Sequence, residues 1–159
     1  MSSGEGYFIL HEVSIRLASN DDVSALRELA RAAYQQYAAA EGSEPEPMKA
    51  DYSTLVSLRN TWLVEHRDVI IGLLVLEPHT DYLLLDNIAV AESVRGKGVG
   101  RLLINWSETQ ALAKGLTEIR LYTDEAMTQN RHYYTKRGSI ESHRAFESGH
   151  HRVYYSKLL

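Results

Sequence analysis

ESVRGKGVGRLL, residues 92–103, places three glycines and three cations directly before an apolar helical pattern. The pattern has one-face helical spacing and consists of Val99, Leu102, Leu103, Trp106 and Ala113. The first amides of a helix have no intrahelical partner, and glycines allow close approach to the backbone. With the cations Arg95, Lys97 and Arg101 beside it, the stretch indicates a phosphate site. From the loop alone, a mobile turn with solvated cations is an equally balanced alternative.

Two familiar phosphate loops do not match this stretch. A Walker A loop requires G-x-x-x-x-G-K-[ST], and no lysine followed by serine or threonine stands at that spacing. A dinucleotide fingerprint requires G-x-G-x-x-G; Gly96 and Gly98 fit, but Arg101 stands where the third glycine belongs. Neither loop type is therefore predicted.

Length and composition describe an ordinary globular chain. Its 159 residues include 44% apolar and 24% charged residues, which is typical of one folded domain. A net charge of -4 disfavours nucleic-acid and membrane partners, and the absence of cysteine excludes disulfides and cysteine-ligated zinc. The start lacks a signal-peptide pattern, and the longest apolar run is far short of the ~20 residues that span a bilayer. We expect a cytoplasmic protein with an N-terminal tail at residues 1–12 and a single domain at residues 13–159.

The periodicity along the chain predicts a mixed α/β fold. Apolar runs predict seven strands, at residues 13–18, 61–66, 69–77, 81–90, 117–123, 140–146 and 151–159. Helical spacing predicts four helices: a long one after the cap SNDD, a short one at 51–58, one after the glycine loop and one within 127–138. Segment 40–52, AEGSEPEPMKADY, is predicted to be a loop. The order strand, glycine-loop helix, strand predicts a parallel crossover in a sheet whose other connections are antiparallel.

The longer stretch DNIAVAESVRGKGVGRLL, residues 86–103, resembles the acetyl-CoA signature of the GCN5-related N-acetyltransferase (GNAT) family. That signature, R/Q-x-x-G-x-G/A after a strand ending in valine, matches here from Arg95 to Gly100. NRHYYTKRG, residues 130–138, is similar to the family pattern N-x-x-x-Y-x-x-x-G. EPEPMKADY and LYTDEAMTQN resemble one bacterial branch. The resemblance implies the GNAT fold, a central, mostly antiparallel seven-stranded sheet with a parallel crossover and four helices.

The resemblance also implies acetyl-CoA as cosubstrate. In the family, the loop amides hold the pyrophosphate of CoA, and the preceding strand offers backbone groups to the pantetheine arm. Carried over to this sequence, the cofactor-binding residues are Ile88, Ala89, Val90, Arg95, Gly96, Lys97, Gly98, Val99, Gly100, Arg101, Asn130 and Tyr134. Asn130 departs from the pattern, because many relatives carry asparagine seven residues before the tyrosine, where this chain has Met127.

Two residues are implied to be catalytic. Tyr134 matches the family tyrosine near the CoA sulfur, and a phenol can act as a general acid. Its alternative role is packing, although its neighbour Tyr133 is expected to be the core residue. Asp86, inside the apolar strand, is a weaker candidate for a base acting through water, because burial raises the pKa of a carboxyl; an ordinary paired carboxylate is the alternative. The family implies backbone N–H groups near Asn87 and Ile88 as oxyanion donors.

The acceptor side has fewer signals. An acidic run could attract a cationic amine, or be a solvated loop; its members are Glu41, Glu44, Glu46 and Asp51. Tyr34 and Tyr37, late in the first helix, could line the acceptor pocket or simply pack. The seven histidines are scattered, and the adjacent His150 and His151 lie on opposite faces of a strand, so no metal site is predicted.

Together these observations predict direct transfer of an acetyl group from acetyl-CoA to a primary amine of a small molecule or peptide. A rival from another class is a CoA-binding sensor or regulatory module without turnover. A phosphate-binding scaffold unrelated to CoA is a second rival, disfavoured by the absence of a Walker lysine. Dimers are common in the family, so a homodimer is an assembly that the resemblance allows.

Overall fold

The computed structural model describes residues 8–41 and 46–159, which form seven strands and five α-helices. The strands are β1 (Val13–Leu17), β2 (Thr61–His66), β3 (Val69–Pro78), β4 (Leu83–Val90), β5 (Glu118–Asp124), β6 (Ile140–Glu147) and β7 (His150–Leu158). The helices are α1 (Val23–Glu41), α2 (Glu46–Lys49), α3 (Tyr52–Ser57), α4 (Val99–Ala113) and α5 (Thr128–Lys136). The sheet order is β1-β2-β3-β4-β5-β7-β6, with β4 and β5 parallel. The predicted mixed α/β fold with one parallel crossover is confirmed.

The chain divides into two compact units. Unit 1 contains the described residues up to Val75 together with Asn87–Leu103. Unit 2 contains Leu76–Asp86 together with Ile104–Leu159. The glycine loop therefore belongs to unit 1, whereas Tyr134 belongs to unit 2.

In unit 1, the strands β1, β2 and β3 form an antiparallel meander. Arg67 and Asp68 connect β2 to β3 with φ angles of 50° and 65°, as in a tight two-residue hairpin turn. This turn stands at the position that the sequence predicts. The fully buried apolar side chains of the unit include Leu26, Ala30, Leu63, Leu73 and Leu74.

A capping box and an ion-pair cluster hold the start of α1. The backbone N–H of Ser19 donates to Oδ2 of Asp22 at 2.7 Å. Arg16 of β1 donates to both carboxylate oxygens of Asp22, at 2.7 and 2.9 Å, and forms an ion pair with Glu65 of β2. The hydrogen bond from Arg16, helped by Ser19, lowers the pKa of Asp22 from 3.8 to about 2. The cap predicted at SNDD thus joins the helix to two strands.

A glycine within β3 allows α4 to pack closely on the sheet. A Cβ at Gly72 would lie 3.2 Å from the side chain of Leu103 and 3.3 Å from that of Val99, both in α4. Glycine in a strand commonly marks such a close approach. Gly72 therefore determines how near the N-terminal end of α4, and the loop before it, lies to the strand.

In unit 2, β7 lies between β5 and β6, with antiparallel pairing to each. Leu121 of β5 stands opposite Tyr155 of β7, and Thr123 stands opposite Val153. All four of these side chains are buried. The alternation of the two strands therefore gives this sheet one interior face, as the apolar periodicity predicts.

The structure has five helices in its described ranges, where four were expected. The additional helix is α2, which lies in segment 40–52, so the prediction that this whole segment is a loop is wrong. Pro47 is compatible with α2 because it occupies the first turn, where a missing N–H costs no hydrogen bond. A single turn is also too short to produce a helical pattern in the sequence.

Part of the predicted N-terminal tail is folded. Residues 1–7 lie outside the described residues, and Leu10–Glu12 form one 3-10 turn. The Phe8 ring centroid lies 5.0 Å from that of His66, and Glu12 forms an ion pair with Arg67 at 3.2 Å. These contacts attach the segment to the β2–β3 hairpin. No helix in the described ranges is both long and apolar enough to cross a bilayer.

Candidate active site

The glycine loop ends at a helix N-terminus with available amides. The carbonyl of Gly98 accepts a hydrogen bond from the N–H of Leu102 at 3.0 Å, the first of the α4 ladder. The N–H groups of Val99, Gly100 and Arg101 precede that bond, so they have no intrahelical acceptor. They form the positive end of the helix dipole, which favours an anion by up to about 2 kcal/mol.

The backbone of the loop requires glycine at two positions. Gly96 has a φ of 73° and Gly98 a φ of 93°, in the left-handed region that side chains with a Cβ disfavour. A Cβ at Gly98 would also lie 3.1 Å from Cδ2 of Leu10, whereas a Cβ at Gly96 would meet nothing within 4 Å. Leu10, from the folded part of the predicted tail, thus supports the loop at Gly98.

The three cations of the loop are exposed. Arg95 and Lys97 flank Gly96, and Arg101 lies in the first turn of α4. None of the three forms an ion pair with another residue of the described ranges. Because the chain as a whole carries a net charge of -4, this positive charge is a local feature available to an anion.

In the part of the chain that the structure describes, no strand pairs with the second half of β4 on the side away from β3. Parallel pairing to β5 is limited to Leu83 with Ile119 and Leu84 with Arg120. At the other end, the N–H of Ala91 donates to the carbonyl of Ile71 on β3 at 2.8 Å. Backbone groups of alternate strand residues point to opposite edges. The peptide groups that point away from β3 are therefore those of Ile88 and Val90, while Ala89 turns toward β3.

A buried hydrogen-bond network holds this half of β4. The hydroxyl of Tyr34, on α1, lies 2.9 Å from both Oδ1 of Asn87 and the carbonyl oxygen of Ile88, and its single proton is shared between these two acceptors. Nδ2 of Asn87 donates to the hydroxyl of Tyr52 at 2.9 Å, and that hydroxyl donates to the carbonyl of Pro47 at 2.8 Å. Tyr34, Asn87 and Tyr52 are all buried. The chain of bonds therefore connects β4 to all three N-terminal helices.

Tyr134 is the buried tyrosine of α5, with 7% of its surface exposed. Burial, with a smaller contribution from Tyr133, raises the pKa of its phenol well above the ordinary value of 10.0. Its ring lies 6.4 Å from that of Tyr155. Tyr133 is only half-buried, with the guanidinium of Arg137 stacked 3.6 Å from its ring. The prediction that Tyr133 is the core residue of the pair is wrong, because the face of α5 that packs inward carries Tyr134.

A small cavity borders Tyr134 within unit 2. Its volume is about 10 Å³, room for roughly one water molecule. Polar side chains contribute to its lining, among them Glu108, Arg137, Ser139 and Lys157. Lys157 and Glu108 form an ion pair at 2.8 Å. The tyrosine is therefore bordered by polar groups as well as by the apolar core.

The structure places Asn130 beside Met127. Nδ2 of Asn130 donates to Sδ of Met127 at 3.5 Å, and the hydroxyl of Thr123 donates to the same sulfur at 3.6 Å. Met127 is buried. The position where many relatives carry asparagine thus holds a core methionine here. Asn130, three residues later, directs its side-chain amide toward the sulfur of that methionine. Contact between Asn130 and CoA stays a prediction.

Asp86 and Asn87 lie on opposite faces of β4. Leu85, Asn87 and Ala89 are buried, and the intervening residues are partly exposed. Asp86 is consequently half-buried rather than the buried acid expected from the apolar strand, because the alternation turns Asn87 inward instead. The role of Asp86 as a base stays a prediction.

The acidic run contributes one residue with a visible role. Asp51 caps α3 by accepting from the N–H of Thr54 at 3.2 Å and from its hydroxyl at 2.8 Å. Glu44 and the side chains of Tyr37, Glu41 and Glu46 lie outside the described part of the chain. Among the described residues, no group of three or more histidine, aspartate or glutamate side chains is arranged to hold a metal ion.

Comparison with known proteins identifies the family. Residues 23–138 match the profile of the acetyltransferase (GNAT) family. The chain belongs to the GNAT family. The resemblance carried by the glycine loop and by NRHYYTKRG is thereby confirmed.

Solved structures share this GNAT fold at low sequence identity. The PaiA N-acetyltransferase of Thermoplasma acidophilum, in complex with coenzyme A, has 18% identity and a TM-score of 0.78 over 92% of this chain and 99% of that chain. The ribosomal-protein-S18-alanine N-acetyltransferase of Escherichia coli has 13% identity and a TM-score of 0.71, covering 92% and 93%. An Arabidopsis thaliana protein in complex with the bisubstrate analogue CoA-Ac-MVNAL has 16% identity and a TM-score of 0.72, covering 93% and 99%. No curated protein matches the sequence.

Sequence reasoning missed two contributors to the site of this GNAT protein. Asn87 is the buried polar node of β4, and an amide at an inward position of an apolar strand was a signal that could have identified it. Leu10 supports the loop across a long separation in sequence, and no local pattern connects the two. Tyr34 is buried, and its hydroxyl reaches β4; a place at the acceptor pocket stays a prediction.

Proposed function

We propose that this GNAT protein transfers an acetyl group directly from acetyl-CoA to a primary amine of a small molecule or peptide. The observation that carries the proposal is the glycine loop. Its helix N-terminal amides have no intrahelical acceptors and stand beside exposed cations that form no ion pair within residues 8–41 and 46–159. Such an arrangement fits a diphosphate. The complex of the Thermoplasma acidophilum neighbour with coenzyme A supports the choice of this diphosphate.

The residues present fit acetyl-CoA in two places. We propose that the loop backbone from Gly96 to Arg101 binds the diphosphate, with the side chains of Arg95, Lys97 and Arg101 adding charge-assisted contacts. The outward peptide groups of Val90 can pair with an extended pantetheine arm, as a neighbouring strand would. The carbonyl of Ile88 already accepts from Tyr34, so Ile88 offers acetyl-CoA its outward N–H. The remaining predicted contacts, from Ala89, Asn130 and Tyr134, belong to the proposal as well.

The chemistry is assigned to three groups of this chain. When bound, acetyl-CoA supplies the acetyl group as a thioester. Tyr134 is proposed to donate its phenolic proton to the departing sulfur, since its raised pKa keeps it protonated. The N–H of Ile88 is proposed to donate a hydrogen bond to the developing oxyanion. Asp86 is proposed to take up, through water, the proton that the attacking amine loses.

The acceptor is proposed to be an amine because of the family and its neighbours. The Escherichia coli neighbour is named for an alanine of a ribosomal protein, and the Arabidopsis thaliana neighbour binds an analogue that contains a peptide sequence. These names support a peptide amine. A small-molecule amine stays within the proposal, and the homodimer and the cytoplasmic location stay predictions.

The proposal is tested in two steps with the purified protein. First, acetyl-CoA should raise the melting temperature more than ATP or NAD, because ligand at about a hundred times its Kd stabilises by roughly 2.7 kcal/mol. Second, release of the CoA thiol is followed with a panel of a diamine, a polyamine, an aminoglycoside, amino acids and peptides with free N-termini. Thiol release that depends on one amine supports the enzyme. Binding without release for any amine would favour the sensor instead.

A further inference from the structure

We infer that Tyr34 is a positioning residue for acetyl transfer: its hydroxyl replaces the missing neighbouring strand at the carbonyl of Ile88. The inference rests on the proposed function, which assigns the N–H of Ile88 to the thioester oxygen. The decisive juxtaposition is one phenol whose single proton is shared between the side-chain oxygen of Asn87 and the carbonyl of Ile88.

The carbonyl of Ile88 is a group that the sheet alone leaves unsatisfied. It points away from β3, and the pairing with β5 does not extend beyond Leu84. An interior carbonyl without a partner is unfavourable, so such groups are nearly always hydrogen-bonded. Here the partner comes from α1 instead of from a strand, at a distance of 2.9 Å.

The donor itself is held firmly. Tyr34 is 8% exposed, and Asn87, which accepts from it, is 5% exposed. Asn87 is in turn fixed by Tyr52, which is fully buried and bonds to the carbonyl of Pro47. A buried network in which every member has a partner holds one arrangement of its residues. Consecutive residues of β4 are therefore attached to α1, one by its side chain and the other by its backbone.

The hydrogen bond from Tyr34 should affect the orientation of the Ile88 peptide group rather than the affinity for the cofactor. An edge backbone without a strand neighbour lacks ladder bonds that would hold its peptide planes. Tyr34 supplies a hydrogen bond to the carbonyl of Ile88, and the N–H of Ile88 stays available for the thioester oxygen of the substrate. Small displacements of a positioning group are costly for rate, with about 1 Å costing up to ~100-fold. The glycine loop, to which the diphosphate is assigned, shares no described hydrogen bond with this network. The affinity for CoA should therefore change little when the network is altered.

The chain offers a matched pair of variants for the test. Tyr34→Phe and Tyr52→Phe each remove one buried hydroxyl that bonds to Asn87 and to a backbone carbonyl. They differ in the carbonyl, which belongs to Ile88 for Tyr34 and to Pro47 for Tyr52. Three quantities are measured for each: kcat with acetyl-CoA and the best amine of the panel, the Kd for CoA by calorimetry, and the amide resonance of Ala89, whose N–H shares a peptide plane with the carbonyl of Ile88.

We expect Tyr34→Phe to lower kcat by about 10- to 100-fold, with the Kd for CoA within about twofold of wild type and a shifted Ala89 resonance. Tyr52→Phe should lower the melting temperature comparably but change kcat by less than about threefold and leave that resonance in place. Equal effects of the two variants on kcat, or an unshifted Ala89 resonance in Tyr34→Phe, would overturn the inference. Wild-type protein that neither binds CoA nor releases thiol would instead remove the proposed function.

Discussion

The glycine loop and Tyr134 are two candidate functional regions in opposite environments. The loop exposes three cations that have no ion-pair partner among the described residues, next to amides at the start of α4. Tyr134 is buried and uncharged, and burial raises its pKa. A site that binds an anion needs charge that the protein has not already neutralised, whereas a proton donor must still hold its proton when the sulfur departs. Variants in the two regions should therefore separate binding from chemistry.

The largest effect is expected at Tyr134. Tyr134→Phe should lower kcat by about 100-fold or more, because general acid catalysis contributes on that order, while the Kd for acetyl-CoA stays nearly the same. The raised pKa also predicts that ionisation of Tyr134 causes no loss of kcat below about pH 10. Stopped assays of thiol release from pH 6 to 10 measure kcat and its pH dependence. Tyr133→Phe is the control, and equal rates for Tyr134→Phe and wild type would remove Tyr134 from the mechanism.

The loop should respond in binding rather than in chemistry. Gly98→Val places a β-branched side chain at a φ of 93° and against Leu10, so the Kd for CoA should rise about tenfold or more. Gly115→Val is a matched control, since Gly115 also has a positive φ, 74°, with no atom within 4 Å of its Cβ position. That variant should lose stability and keep the wild-type Kd. Calorimetry that finds the same CoA affinity in both variants would contradict the loop geometry.

A cluster whose charges are satisfied inside the protein should affect stability alone. Asp22→Asn removes the charged partner of Arg16 and should lower the free energy of unfolding at pH 7 by about 1–3 kcal/mol, without changing the Kd for CoA. Because folding lowers the pKa of Asp22 from 3.8 to about 2, its contribution is complete above about pH 4 and is lost as the pH falls toward 2. Urea unfolding of wild type, Asp22→Asn and the exposed control Asp21→Asn at several pH values measures this difference. A wild-type advantage that persists at pH 2 would argue against the ion pair.

The smallest effect is expected for a single loop cation. Lys97→Ala should raise the Kd for CoA by about 1.4- to fivefold at low salt, because an exposed charge contact is worth about 0.2–1 kcal/mol. The difference should shrink in high salt through screening. Lys114→Ala, at the other end of α4, should leave the affinity unchanged. A salt-independent loss in Lys97→Ala, or the same loss in Lys114→Ala, would show that charge at the loop is not the cause.

Local patterns predicted the elements of this fold well. The cap at Ser19, the β2–β3 turn at Arg67 and Asp68 and the helix after the glycines each depend on neighbouring residues, and each is present. The helix α2 escaped prediction because one turn carries no periodicity. The short extent of pairing between β4 and β5 was not predicted either. An apolar run in the sequence indicates where a strand lies, but not which of its residues pair with a neighbouring strand.

The glycine loop is the part of the candidate site where the motif carries its own backbone requirement, and its contact with CoA stays a prediction. The positive φ angles of Gly96 and Gly98 are such a requirement, and spacing alone identified both residues. Burial depends on tertiary packing, and there the expectation that Tyr133 is the core residue was wrong. Asp86 is half-buried, and its role as a base stays a prediction. Adjacent residues on a helix or a strand face different ways, and the sequence did not decide which of each pair turns inward. The contact between Leu10 and Gly98 joins distant segments and has no local signature.

The central claim is that the backbone at the start of α4 binds the diphosphate of coenzyme A. Isothermal titration of the wild-type protein with CoA tests it most directly. The comparison ligand is acetyl-pantetheine, which lacks the diphosphate together with the adenosine 3′-phosphate attached to it, and Gly98→Val isolates the part that depends on the loop. We predict one CoA per chain with a Kd between about 1 µM and 1 mM, at least about tenfold weaker binding of acetyl-pantetheine, and loss of the difference in Gly98→Val. No saturable heat with CoA, or equal affinity for the two ligands, would contradict the account.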